Sequence, residues 1–221
     1  MGRSIVVSDP ERISHETPML PFDVILFDIG GVLLTNGWDH RERAAVVDQF
    51  HLDAAALEAH HAHAFEPWER GEISLDEYLD AVVFYEPRAF SREEFFAAIC
   101  AQSKALPDGA LCILEELAAS DRYMLGALNN EARETNEFRL VNFGLRRYLK
   151  FAFTSCYIGI RKPDPAIYRR ALGILGKPAE RSLFIDDRLE NVAAAAAVGM
   201  KAIRFTGADA LRIDLQTLEV L

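Results

Sequence analysis

Six polar residues in this chain are of types suited to a negatively charged ester: Asp28, Asn129, Asn130, Lys162, Asp186 and Asp187. A phosphate monoester is a dianion and resists attack by another anion. Its cleavage needs a nucleophile placed in line and cations that screen charge. A carboxylate such as Asp28 is a competent nucleophile and splits one difficult displacement into two easier ones. Two adjacent acids, Asp186 and Asp187, repel each other, and a bound cation gives a reason to tolerate them. Magnesium takes one or two carboxylates plus waters and substrate phosphate, which Asp28 and Asp187 would supply. Lys162 would act as a point charge on phosphate and on Asp28. The amides of Asn129 and Asn130 carry spare donors. Each residue also has a plain structural use: Asp and Asn in turns or helix caps, Lys at a solvated surface.

These residues need elements that bring them together. DVILFD, Asp23–Asp28, is a short apolar run ending in Asp28 and a Gly30-Gly31 turn, which predicts a buried strand. From Trp38 to about Lys104 apolar residues recur three and four apart, in Ala44–Phe50, Ala54–Phe65, Ile73–Phe84 and Phe95–Cys100. Ser74 with Glu77, and Ser91 with Glu94, are capping-box signatures ahead of the last two. The stretch reads as a small helical unit. After Pro107 the pattern alternates. Strands are expected at Tyr123–Leu128, Phe151–Thr154, Ser182–Ile185 and Ala202–Phe205. Helices are expected at Ala110–Ser120, Glu131–Phe143, Asp164–Leu175 and Leu189–Val198. Such alternation predicts an α/β fold with a doubly wound parallel sheet. Right-handed crossovers then put every strand's C-terminal end on one edge, where ligands bind in open sheets. Asp28, Asn129, Asp186 and Asp187 all follow strand ends, and Lys162 lies in a strand–helix loop. The helical unit leaves the sheet just after Asp28 and is positioned as a lid.

In that order, FDIGGVL, LNN, RKPDP and FIDD resemble the four motifs of the haloacid dehalogenase-like hydrolase superfamily. The resemblance spans about residues 23–206, and the position of the helical insert is similar to the type with a cap after the first motif. It implies a Rossmann-like core at 23–36 and 105–221, a helical cap at 37–104 and an N-terminal extension at 1–22. It also implies a magnesium site of Asp28, Asp187 and the backbone carbonyl of Gly30, with Asp186 behind Asp187 and Asn191 near a metal-bound water. Lys162 and Asn129 would hold the phosphate, and Asn130 its loop. Two departures stand out. Phosphatases of the superfamily usually carry a second Asp two residues after the nucleophile, as general acid and base, and here that residue is Gly30. Ser or Thr usually stands where Asn129 is. Relatives with Asp-x-Gly resemble sugar-1-phosphate phosphatases, so the implied substrate is a small phosphorylated metabolite, a sugar phosphate among the candidates. Two other readings share these residues: a binding or regulatory protein on the same fold, and a carbon–halogen hydrolase, which would need no metal.

The rest of the sequence narrows the field. The formal net charge of −10 and pI near 5.1 argue against nucleic-acid or anionic-membrane partners. No run approaches the roughly 18 apolar residues of a membrane span. Residues 1–22 lack an apolar run after a basic start, so no secretory signal is expected. Cys100, Cys112 and Cys156 include no CxxC pair and are expected to be reduced and buried, as in the cytoplasm. His60, His61 and His63 lack the i, i+4 spacing of a helical zinc pair and read as a solvated helix face. Trp68 reads as a buried anchor, and Arg161 as facing away from Lys162.

Overall fold

The structure, a computed structural model, describes residues 20–221. The extension expected at 1–22 therefore lies, up to position 19, outside the described residues. Five parallel strands form one sheet: β1 (Val24–Phe27), β2 (Met124–Asn129), β3 (Phe151–Thr154), β4 (Ser182–Asp186) and β5 (Lys201–Arg204), in the order β3-β2-β1-β4-β5. The expected doubly wound architecture is the one observed. The order reverses between β1 and β4, and that switch point opens a crevice beyond the strand ends. Val24–Phe27 is apolar throughout because both faces of the sheet are covered. Ile25 and Phe27 join one buried cluster, with Ile113, Leu117, Leu140 and Leu215. Val24 and Leu26 point the other way and join Ile167, Ala171 and Ala195.

After β1 the chain leaves the sheet and first forms α1 (His40–Gln49), α2 (Ala54–Glu69), α3 (Leu75–Val82) and α4 (Arg92–Ala101). They share an apolar cluster that includes Trp38, Val46, Trp68, Tyr78, Leu79 and Phe95. Both expected capping boxes are present, Ser74 with Glu77 and Ser91 with Glu94. The helix read from Ala54–Phe65 continues through Pro67 to Glu69. Its buried positions Leu57, His61, Ala64 and Trp68 keep helical spacing across the proline. Burial of Trp68 holds the last turn against the lost hydrogen bond.

The remaining helices are α5 (Leu111–Ser120), α6 (Arg133–Asn142), α7 (Ser155–Ile158), α8 (Pro165–Leu175), α9 (Leu189–Ala197) and α10 (Ala208–Thr217). α10 has no counterpart in the sequence reading, yet its Leu211 and Leu215 are buried in the core. Cys100 and Cys156 are buried as expected, but Cys112 is exposed, on the outer face of α5. No helix among the described residues is long and apolar enough to cross a membrane.

Candidate active site

The crevice at the switch point collects the acids. Asp28 follows β1, and its Oδ1 accepts the Ile29 N–H at 2.8 Å and the Lys162 Nζ at 2.9 Å. The same ammonium donates to Asp186 Oδ2 at 2.6 Å, so one buried cation bridges the ends of β1 and β4. Lys162 is held from behind. Asn130 Nδ2 donates to its carbonyl at 2.9 Å, and its N–H donates to Asn130 Oδ1 at 2.8 Å. Both polar ends of the Asn130 amide are thereby committed to the lysine's backbone. Asp186, fully buried, also accepts the Asn191 amide at 3.0 Å and the Arg188 N–H at 2.8 Å.

The electrostatics follow from that packing. Burial raises the pKa of the Asp28 carboxyl and the neighbouring Asp186 and Asp187 charges raise it further, against the pull of Lys162. Burial also raises that of Asp187, reinforced by Asp186. For Lys162 burial works against the charge, but Asp28 and Asp186 outweigh it and keep the ammonium protonated.

The donor set suits a hard divalent cation. Carboxylate oxygens of Asp28, Asp186 and Asp187 lie within 4.8 Å of one another. Asp186 is already saturated by Lys162, Asn191 and Arg188, whereas Asp187 Oδ1 is buried with no hydrogen-bond partner among the described residues. A buried carboxylate oxygen without a donor is costly, and a cation removes that cost. The backbone makes room for it. Gly31 has φ +72°, and a Cβ there would fall 2.3 Å from Asp187 Oδ2. Glycine is required on both counts.

Asp28, Gly30, Asn130 and Lys162 open into a cavity of about 400 Å³ roofed by the helical insert. Asn129 lies outside its lining. The Asn129 Nδ2 donates to Asn136 at 3.1 Å, and its Oδ1 accepts the Thr154 hydroxyl at 3.0 Å. Several lining residues were not foreseen. Arg161 does not face away; it lines the cavity and pairs with Glu66 at 2.9 Å and Glu69 at 2.6 Å, both on α2. Arg43, Arg139 and Arg188 add further cations. His60 and His63 are exposed as expected, but His61 is buried on the cavity wall.

The Tyr78 hydroxyl accepts the Trp38 indole N–H at 2.7 Å and sits 2.7 Å from His61 Nδ1. The tyrosine proton has no other acceptor among the described residues. It therefore goes to Nδ1 and leaves His61 with its proton on Nε2. Burial lowers the His61 pKa to about 4, so the ring is neutral. Trp68, stacked on Tyr78 at 4.1 Å, is both the anchor expected and part of the cavity wall.

Against this geometry, known proteins give a consistent picture. The sequence profile of the haloacid dehalogenase-like hydrolases matches residues 22–199. The chain belongs to this family. It is 33% identical, over 184 residues, to flavin mononucleotide hydrolase 1 of Arabidopsis thaliana, a chloroplast protein; the match covers 79% of this chain and 74% of that one. It is 28% identical, over 200 residues, to a sesquiterpene phosphatase of Aspergillus oryzae, covering 89% and 96% of the two chains. Among solved structures it resembles a HAD family enzyme of Bacteroides thetaiotaomicron in complex with magnesium and inorganic phosphate. The TM-score is 0.70 at 20% identity, covering 84% of this chain and 95% of that one, a likeness of fold.

Proposed function

We propose that this hydrolase cleaves the phosphate monoester of a small organic molecule, with Asp28 as nucleophile and magnesium as cofactor. The observation that carries the reading is the Asp28–Lys162–Asp186 bridge beside the unpartnered oxygen of Asp187, open to a roofed cavity. Asp28, Asp187 and the Gly30 carbonyl would hold the ion, with Asp186 and Asn191 behind them. When bound, it would neutralise phosphate oxygens and let three carboxylates share one crevice. Lys162 holds the phosphate's charge toward Asp28. Asn130 fixes the backbone of Lys162, and Asn129, tied to Asn136 and Thr154, fixes the end of β2 behind it. Asp28 attacks phosphorus, the alcohol departs, and water cleaves the aspartyl-phosphate while the insert keeps bulk solvent away.

The substrate body would lie against Trp38, His61, Phe65 and Trp68. That wall suits a flat or apolar leaving group better than a bare sugar. The names of the flavin mononucleotide hydrolase and the sesquiterpene phosphatase are compatible with it, and a sugar phosphate is the contrasting arm of a substrate panel. The cytoplasm expected from the sequence belongs to this proposal, supported by the three unpaired cysteines. The test is phosphate release from 4-nitrophenyl phosphate by the wild type and Asp28→Asn, with magnesium and with excess chelator. Turnover that needs both Asp28 and magnesium supports the reading. Folded protein without turnover refutes it in favour of a binding role, and metal-independent ester chemistry on haloacids would favour the dehalogenase reading.

A further inference from the structure

Gly30 leaves the site without a proton donor at the position two residues after the nucleophile. Four acids line the cavity outside the cluster of Asp28, Asp186 and Asp187: Asp39, Glu69, Glu131 and Glu190. Asp39 is half exposed and committed to capping α1 and to Arg188. Glu131 is buried, but the Thr135 hydroxyl occupies its Oε1 and Arg139 its Oε2. Glu190 stands exposed in the first turn of α9. His61 is neutral, and its remaining N–H is far too weak an acid.

Glu69 differs from all of these. It ends α2, is 7% exposed, and one of its oxygens, Oε1, has no partner among the described residues; Oε2 accepts Arg161 Nε at 2.6 Å. Its backbone is anchored to the sheet edge. The Glu69 carbonyl accepts the Ser155 hydroxyl at 2.7 Å, and that hydroxyl in turn receives the Glu131 N–H at 3.0 Å. Two residues on, Gly71 packs directly on the Cys156 carbonyl, which a Cβ would approach to 2.3 Å. The backbone that brings Glu69 to the cavity wall is thus held by the core as well as by its own helix.

We propose that Glu69, contributed by the helical insert, is the general acid and base of this site, in place of the residue missing at Gly30. The inference rests on the phosphatase reading. In the first step the bond from phosphorus to Asp28 forms and the ester P–O bond breaks, while the Glu69 carboxyl gives its proton to the departing oxygen. In the second, the Glu69 carboxylate takes a proton from water as the water oxygen bonds to phosphorus and the P–O bond to Asp28 breaks. Asp28 and protonated Glu69 are restored, with alcohol and inorganic phosphate as products. Burial raises the Glu69 pKa to about 7, with Arg161 and Arg188 opposing and Glu131 adding to the rise. Glu66, which shares Arg161, draws part of that guanidinium away. A group poised near neutrality serves as acid and base in turn.

The test compares kcat/KM for phenyl phosphate and 4-nitrophenyl phosphate at saturating magnesium, in wild type and Glu69→Gln, as a function of pH. Phenolate needs a proton to leave far more than nitrophenolate does. The expected loss is roughly 10²–10⁴-fold on phenyl phosphate and less than about tenfold on the nitro ester. The wild type's alkaline limb above pH 7 should vanish in the variant. An equal loss on both esters, or an alkaline limb that persists, overturns the assignment. If the variant does not fold, wild-type kcat/KM across substituted phenyl phosphates still decides. A shallow dependence on leaving-group acidity supports proton donation, and a steep one overturns it. Absence of all wild-type turnover would refute the phosphatase reading itself, and the acid role with it.

Discussion

Replacing Lys162 with Met removes the ammonium that bridges Asp28 and Asp186 while keeping the stem of the side chain. Lys162 is 4% exposed, and its ammonium sits 2.9 Å from one carboxylate and 2.6 Å from the other. Removing one partner of a buried pair costs about 3–5 kcal/mol, because the other charge is left buried and uncompensated. Methionine fills most of the vacated volume, so little of this is a packing loss. At about 2–4 °C per kcal/mol for a chain of this size, the melting temperature should fall by roughly 6–20 °C. That is a large part of a typical total stability of about 5–15 kcal/mol.

The pH dependence separates charge from packing. The Asp28 carboxyl has a folded-state pKa above its usual value, so its contribution to stability is complete at low pH and is lost as pH rises through the folded value. Lys162 is what restrains that rise, and its removal moves the value further up. The deficit of Lys162→Met should therefore be larger at pH 8 and shrink toward pH 5, where Asp28 binds a proton instead. Urea unfolding at both pH values without divalent cations measures it. An equal deficit at pH 5 and pH 8 would show that the lysine acts through packing, and no deficit at all would show that the ammonium bridge contributes nothing.

Magnesium should stabilise the wild type by about 2.7 kcal/mol at a hundredfold excess over its dissociation constant. The benefit should fade from pH 8 to pH 5, as the raised carboxyls of Asp28 and Asp187 take up protons in competition with the ion. A thermal shift that does not change with pH would contradict the proposed ligands. Gly31→Ala should displace Asp187, since its Cβ would fall 2.3 Å from Oδ2 at a φ of +72°. The expected cost in magnesium affinity is roughly 10–100-fold, by analogy with loss of ligand-orienting contacts. Calorimetric titration showing wild-type affinity in the folded variant would remove Asp187 from the site.

The parts of this molecule legible in the sequence are those in which local pattern and tertiary role coincide. VILF is apolar at every position because β1 is covered on both faces, and it ends where Asp28 must stand. The capping boxes at Ser74 and Ser91 need only neighbours three residues away. His61 was not legible, because its burial depends on Tyr78, seventeen residues further on, offering a hydroxyl to its ring. Arg161 was misplaced for a similar reason. Its partners Glu66 and Glu69 lie on α2, more than ninety residues earlier in the chain. One missed group did leave a local signal. Glu131, Thr135 and Arg139 stand four apart on the approach to and along α6, and they form a buried hydrogen-bonded chain.

The exchange of an acid for Gly30 makes sense beside Arg139. A Cβ at position 30 would lie 3.1 Å from Asn36 Oδ1 and 3.8 Å from Arg139 Nη1. Arg139 is fully buried, paired with Glu131 and bonded to the Thr35 carbonyl, so it cannot withdraw. A carboxylate introduced beside it would be held ionised by the guanidinium and would make a poor proton donor. An acid two residues after the nucleophile would thus crowd Asn36 and meet a fixed guanidinium. Outside the cluster of Asp28, Asp186 and Asp187, a cavity acid at which burial outweighs the neighbouring cations is Glu69, on the insert. Proton transfer would then be available only while the insert is seated, which couples chemistry to closure without any further device.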